Sequence, residues 1–409
     1  MDRHVTVERA LRGAPPHSLL DSLRVDLARR FAVLSADLLL VDYGLTSLRP
    51  VEPVQAPAVV RHVAVGSGPA GRALSTQQPY LFGGDGPTAT ACLPVTVRGE
   101  RCGVLVVVLP PDLATPAVTE ELADIAETLG HALRVADRHT DLYRRTRRAH
   151  PLSVPAEMQW GVLPGQACTG AEFDLHAYWE PSYTSGGHVL DWCVTEEELT
   201  LVVANGTGPD APSALLSNLA LNAIRNARRA GLDLVGQASL TDQALYGQHR
   251  GERSLSALLL SFARATGEVR VVDAGSPTVW RGRGAVTERI HLERQLPLGM
   301  FEDTVYATQR LRVLPGDRLV FVACDRGDPP PGAGDAALDR PVGRAIERTR
   351  GTTCADTPRA VVRTLREEAP GGVPDDVLVL CLDWHGRHPV ERRPATGEDH
   401  AGLPGPPAA

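Results

Sequence analysis

Few spacings in this chain carry chemistry by themselves. Gly66, Gly68 and Gly71 form a G-x-G-x-x-G, which in a strand–turn–helix unit would cradle a pyrophosphate. The segment that follows is not a βαβ unit, so the glycines read as a turn leading into a helix. Asp375 and Asp376 set two carboxylates side by side ahead of the apolar run VLVLCLDW. Such oxygens suit Mg²⁺ or Mn²⁺, and an exposed turn before a strand explains the pair equally well. The seven cysteines, Cys92, Cys102, Cys168, Cys193, Cys324, Cys354 and Cys381, are odd in number and contain no CxxC pair. That argues against a disulfide framework. Cys102 and Cys381 sit in apolar runs and read as small buried hydrophobes. A reducing cytoplasm is the expected compartment.

The elements that position these groups follow from length and pattern. At 409 residues, 43% hydrophobic and 22% charged, the chain is too long for one core and suits two globular domains. Its net charge of −7 argues against a general nucleic-acid binder. All 42 basic residues are arginine. The opening MDRHVTVERALRG has no apolar core for a signal peptide. The longest apolar stretches are strand-length, far short of the ~20 residues that span a bilayer. No membrane contact is expected.

Residues 1–16 read as a flexible lead-in. A helix follows from Leu19, with buried strands at 36–42 and 59–65. LPVTV, the turn Arg98-Gly99-Glu100 and CGVLVVVL make a hairpin. Residues 118–150 carry one long helical pattern with the apolar stripe Leu122, Ile125, Leu129, Leu133 and Val135. Arg144, Arg145, Arg147 and Arg148 read as its solvated face. This helix is expected to connect the domains, and its stripe to pair with a second copy.

Beyond 154, strands are expected at 173–180, 189–194, 199–204, 254–264, 268–274, 305–313, 317–324 and 376–384. Helices are expected at 212–230, 236–248, 339–349 and 358–368, the last with Thr357 as N-cap and Pro358 in its first turn. Antiparallel strands with helix pairs outside them imply a layered α+β sandwich. Residues 387–409, rich in Pro, Gly and charge, are expected to be disordered.

The motifs of the second half resemble, in order, those of the SpoIIE-type serine/threonine phosphatases that follow GAF domains in actinobacteria. PAEMQWGVLP (155–164) is similar to the opening signature. Glu180-Pro181 followed by Gly186-Gly187 resembles EPA…GGD(W/F)YD. ANGTGPDAPSALLSNLALNAIRNARR (204–229) resembles the GDVMGHG loop and its helix, and VVDAGSPTVW (271–280) the NAGHPP hairpin. LPLGM (296–300) is unchanged, PGDRLVFVACD (315–325) resembles PGDRLLLYTDG, and GGVPDDVLVLCLDW (371–384) the closing GGxRDDATLLLLEW. The resemblance covers residues 154–386 and implies an α/β/β/α sandwich of PPM type. The preceding hairpin and trailing helix resemble a GAF-like sensor domain at 17–140.

That family implies two Mg²⁺ or Mn²⁺ ions between the sheets, holding the water that attacks phosphoserine or phosphothreonine. Its ligand positions fall here on His188, Asn205, Cys324 and Asp375. Gly206 remains beside Asn205, and Asp191, Asp325 and Asp376 are the carboxylates left nearby as residual ligands. The His of the GHG turn is Pro209 and that of NAGHPP is Ser276. Three of four carboxylates are replaced, so the shell falls from near four negative charges to about one. Two dications would bind such a shell very weakly. His188, Cys324 and Asp375 could instead suit Zn²⁺, but no fourth ligand supports it.

The resemblance thus implies a catalytically impaired regulator that binds a phosphoprotein, such as an anti-sigma-factor antagonist, without turning it over, with an unidentified small molecule at the GAF-like domain. The alternative is an active phosphatase with a rearranged site built from Asp191, Asp325, Asp375 and Asp376. A third reading makes the sensor domain the working part.

Overall fold

A computed structural model describes residues 3–51, 63–83, 86–180, 183–184, 187–206, 211–275, 277–324, 336–368 and 376–387. The expected strand at 59–65 lies mostly outside these residues, and the expected disordered tail lies outside them but for Arg387.

The first domain opens with α1 (Arg3–Gly13) and α2 (Leu19–Phe31). It continues with β1 (Ser35–Val41), β2 (Ser47–Pro50), β3 (Val63–Ala64), α3 (Gly68–Thr76), β4 (Tyr80–Phe82), β5 (Ala89–Val97), β6 (Glu100–Leu109) and α4 (Pro116–Ala136). The strands form one antiparallel sheet in the order β3-β2-β1-β6-β5-β4. Alternation splits its side chains into two cores. Leu38, Leu40, Leu105 and Val107 pack under α1, α2 and α4. Leu39, Val41, Val104 and Val106 pack under α3. Gly66 and Gly68 take positive φ in the turn before α3, so the glycine spacing is a turn, as expected.

Two expectations are corrected here. Residues 1–16 are not a loose lead-in, because α1 buries Val7 and Leu11, one helical turn apart, in the first core. The long helix is not continuous to 150. It ends at Ala136, and a separate short helix, α5 (Leu142–Thr146), follows. Arg147 draws the chain back across β1, lying 4.7 Å over the Tyr43 ring and donating to Val41 O at 3.1 Å. Arg147 is therefore no solvated charge. Leu122, Ile125, Leu129 and Leu133 are all buried inside the first domain, and only Val135 of the stripe is exposed. The stripe needs no second copy to cover it.

The second domain comprises α6 (Val154–Val162), β7 (Ala167–Thr169), β8 (Phe173–Glu180), β9 (His188–Val194), β10 (Glu198–Gly206), α7 (Ala211–Arg229), α8 (Leu234–His249), β11 (Leu255–Ala263), β12 (Glu268–Ala274), β13 (Thr278–Arg283), β14 (Val286–Ile290), β15 (Gln309–Arg312), β16 (Asp317–Cys324), α9 (Ala336–Arg348), α10 (Thr357–Glu368) and β17 (Val377–Trp384). One sheet runs β15-β12-β11-β10-β9 and the other β14-β13-β16-β17-β8-β7. Phe173, Leu201, Phe262, Phe321 and Trp384 fill the space between them. A second core lies under α7 and α8, and a third under α9 and α10. The result is the expected helix–sheet–sheet–helix sandwich. The last helix starts at Thr357 itself, whose hydroxyl donates to Thr353 O instead of capping.

The domains are joined by short-range chemistry. Tyr43 packs on Trp160 of α6 with ring centroids 4.7 Å apart, and Trp160 meets Trp179 edge-on at 5.4 Å. Tyr183 donates to Asp42 Oδ2 at 2.9 Å, Arg101 pairs with Asp356 at 2.7 Å, and Arg359 donates to Leu45 O at 3.0 Å.

Candidate functional site

Two neighbouring strands set the site. His188 opens β9, Asn205 stands near the end of β10, and the two are direct cross-strand partners. Alternation decides where they point. Leu190 on β9 and Leu201 and Val203 on β10 face the inter-sheet core, while Val189, Val202 and Ala204 face the helices. His188 and Asn205 therefore share the inter-sheet face. His188 is fully buried and Asn205 nearly so.

The backbone around them is tightly held. Gly206 N donates to Gly187 O at 2.9 Å, and Ser217 Oγ donates to the same carbonyl at 3.0 Å. A Cβ on Gly187 would fall 2.3 Å from Gly206 O, and one on Gly206 would fall 2.8 Å from Ser217 Oγ. Gly187 needs glycine because backbone approaches backbone there, and at Gly206 the Ser217 hydroxyl leaves no room for a Cβ. Gln159, buried on α6, donates to His188 O.

Across the cleft, Asp376 Oδ1 lies 3.1 Å from His188 Nδ1. Asp376 immediately precedes β17, whose alternation puts Val377 on the helix side and Leu378 between the sheets. The neighbouring Asp375, to which the family position falls, lies outside the described residues, as do Asp325, Pro209 and Ser276. Asp376, expected only as a residual ligand, is the carboxylate that reaches His188, and Gln159 and Ser217, which fix the backbone, are the residues that motif reading passed over. Strand parity was the signal that could have singled out Asp376.

Two expected site residues are not brought here. Asp191 sits on the opposite face of β9, buried, with Arg225 at 2.7 Å and Arg228 at 2.8 Å. Arg225 also donates to Val162 O at 2.7 Å. Asp191 is thus a structural anion tying β9 to α6 and α7, which corrects its place among the residual ligands. Cys324 pairs with Val377 and packs with the core under α9 and α10. Ala323 holds the inter-sheet position. The gapless alignment thus put Cys324 in the ligand set, and strand parity takes it out, together with the zinc grouping of His188, Cys324 and Asp375.

What remains has a definite chemical character. His188 Nε2 and Asn205 Oδ1 are buried without a hydrogen bond, and His188 Nδ1 has its contact with Asp376 alone among the described residues. Such atoms cost about 1–3 kcal/mol each unless something fills the gap. Among the described residues, no third His, Cys, Asp or Glu joins His188 and Asp376 within ligand distance. Among the described residues the site offers an imidazole, an amide oxygen and one carboxylate, whereas a pair of hard dications takes several carboxylates.

Residues 195–385 match the family model described as Stage II sporulation protein E (SpoIIE). This segment is related to the SpoIIE-type PPM phosphatases. No curated protein matches the chain. Among solved structures, the RsbU and RsbW domains of a Mycobacterium tuberculosis protein share 19% identity over 53% of this chain and 63% of that one, with a TM-score of 0.44. The PP2C phosphatase domain of SpoIIE with a fragment of its regulatory domain, from Bacillus subtilis, shares 12% over 53% and 65%, also at 0.44. The PP2C domain of SiaA from Pseudomonas aeruginosa shares 18% over 51% and 85%, at 0.43. The chain thus spans less than two thirds of the first two. No helix among the described residues is long and apolar enough to cross a membrane.

Proposed function

We propose that this protein is a regulator built on a SpoIIE-type phosphatase fold whose metal site no longer supports hydrolysis. The reading rests on one observation. Where the family holds its ions, a buried histidine and an asparagine stand side by side, and Asp376 is the carboxylate that meets the histidine. An amide carries no charge and cannot bridge two dications as a carboxylate does. The active-site alternative loses Asp191, already committed to two arginines.

On this reading the protein binds a phosphoprotein in a serine/threonine or sigma-factor signalling pathway of the cytoplasm, and an anti-sigma-factor antagonist is the partner class the family implies. The first domain is a GAF-like sensor for a small molecule. The test is Mn²⁺-dependent hydrolysis of a small phosphate ester and of a phosphoserine peptide by the full chain, with calorimetry for Mn²⁺. We expect no turnover and weak ion uptake. Robust hydrolysis that a chelator and Asp376→Asn both abolish would overturn the proposal.

A further inference from the structure

We propose that the outer face of the six-stranded sheet carries a separate metal site, a thiolate site for a zinc-class ion formed by Cys354, Cys381 and Asp383. Their ligand atoms lie within 4.8 Å of one another. Cys381 and Asp383 alternate onto the face of β17 that looks toward α9 and α10, and Cys354 reaches it from the loop between those helices. His176 is the cross-strand partner of Cys381 on β8. It stands on the same face and offers an imidazole at the edge of the cluster.

The donor set selects the ion. Thiolates favour zinc-class metals over Mg²⁺ or Ca²⁺. A tetrahedral zinc with two sulfur ligands holds them roughly 3.8 Å apart, inside the observed span. The charges also close. Two thiolates and Asp383 carry three negative charges, against the three positive charges of a dication and the Arg318 guanidinium.

Arg318 prepares the site. It holds both Asp383 oxygens at 2.6 and 2.7 Å and donates to Thr349 O, Thr352 O and Thr357 Oγ1 at 3.3, 3.1 and 3.0 Å. The loop that carries Cys354 is thereby fixed without help from an ion, as outer-shell partners do in known metal sites. Each carboxylate oxygen keeps a second lone pair, and Cys381 Sγ already approaches Asp383 Oδ1 at 3.9 Å. A cavity of about 230 Å³, lined in part by Arg318, Ile346, Arg350 and Asp383, reaches the carboxylate side of the cluster.

The Cys354 thiol is already partnered in the fold. Cys354 Sγ lies 3.2 Å from Asp174 O and 3.4 Å from Cys381 O, as a shared donor would. Its hydrogen bond with Cys381 and its burial push the Cys354 thiol far above its ordinary pKa. A thiol ligates as its thiolate, so metal uptake releases protons.

The experiment is a Co²⁺ titration of the reduced, chelator-treated full chain, read by sulfur-to-cobalt charge-transfer absorption and by proton release. We expect bands that saturate at a single ion per chain, release of two protons per ion near neutral pH, and displacement by Zn²⁺. The bands persist in the His188→Ala, Cys324→Ala chain, which removes the inter-sheet histidine and the separate thiol of Cys324 on the helix side. They vanish in the Cys354→Ala, Cys381→Ala chain, whose fold is checked by circular dichroism. If that pair does not fold, Cys381→Ser serves instead and must lose the contribution of one sulfur. Absence of charge-transfer bands in the reduced wild type overturns the proposal, as do bands that survive removal of both cysteines.

Discussion

His188 Nδ1 lies 3.1 Å from Asp376 Oδ1, so the first residue of one sheet's edge strand meets the residue leading into a central strand of the other. The contact crosses the cleft at the level where Asn205 stands. It joins the sheets by a neutral or singly charged pair, where a two-ion site would need a ring of carboxylates.

The first prediction follows from that exchange. His188→Asp with Asn205→Asp places two carboxylates beside Asp376. Calorimetry should show Mn²⁺ affinity rising well above wild type. In chelator the variant should be less stable by about 1–3 kcal/mol, because like charges crowd a buried site, and Mn²⁺ should restore its melting temperature. Adding Cys324→Asp should give no further gain in affinity, since that side chain points to the helices. A large gain from Cys324→Asp would place it in the cleft after all.

Asp191 should behave as structure and not as ligand. Asp191→Asn leaves Arg225 and Arg228 without their shared anion, and breaking a buried pair costs about 3–5 kcal/mol. Urea unfolding should show that loss, while Mn²⁺ uptake stays at the wild-type level.

The acid limb of stability should carry the signature of Asp317. Burial alone would raise its pKa, but Arg283, donating at 2.6 Å to each oxygen, and the Leu314 amide outweigh it and hold the pKa below the ordinary 3.8. The unfolded chain therefore takes up this proton at a higher pH than the folded chain does. The stabilisation is present above the unfolded value and is lost as pH falls through and below it. Asp317→Asn should cost about 2 kcal/mol at neutral pH and flatten the decline below pH 4 in melting experiments against wild type.

The interdomain contact of Asp42 and Tyr183 should be measurable as a coupling. Asp42 accepts from Thr46 N, Thr46 Oγ1, Ser47 N and Tyr183 Oη at 2.7–2.9 Å. A double-mutant cycle of Asp42→Asn and Tyr183→Phe should return an interaction of about 0.5–3 kcal/mol. Tyr183→Phe alone should cost about 1 kcal/mol and increase proteolysis in the 137–153 linker. Strict additivity would mean the contact is incidental.

Most strands of the second domain were legible because apolar runs of strand length bounded by turn residues mark them, although β7, β13 and β14 were not among those expected. Seven of the eight expected there are present at nearly the expected bounds, and 305–313 shrinks to Gln309–Arg312. Placing the site was harder, because motif spacing says which residues are neighbours in sequence and strand parity says which face they share. Cys324 and Asp191 were misplaced for that reason, one residue or one face away from the cleft. The lead-in helix was hidden because Val7 and Leu11 are few among charged neighbours. The break after Ala136 has a tertiary cause, the hold of Arg147 on Tyr43 and Val41, which no local pattern reports. Pairs such as Arg101 with Asp356, separated by 255 positions, leave no trace in sequence at all.

The joint around Tyr43 has a consequence for how such proteins can be recombined. Half of it, Asp42, Tyr43 and Leu45, is encoded in the first domain. The other half, Trp160, Tyr183 and Arg359, is encoded in the second. A chimera cut at the linker, with a foreign first domain grafted onto residues 151–409, would inherit only one half of the lock. Its Trp160 face would be left wet and its Tyr183 hydroxyl without the carboxylate. Grafts that carry the 42–45 turn along with the foreign domain should fold as a unit, and in natural lineages these positions should change together.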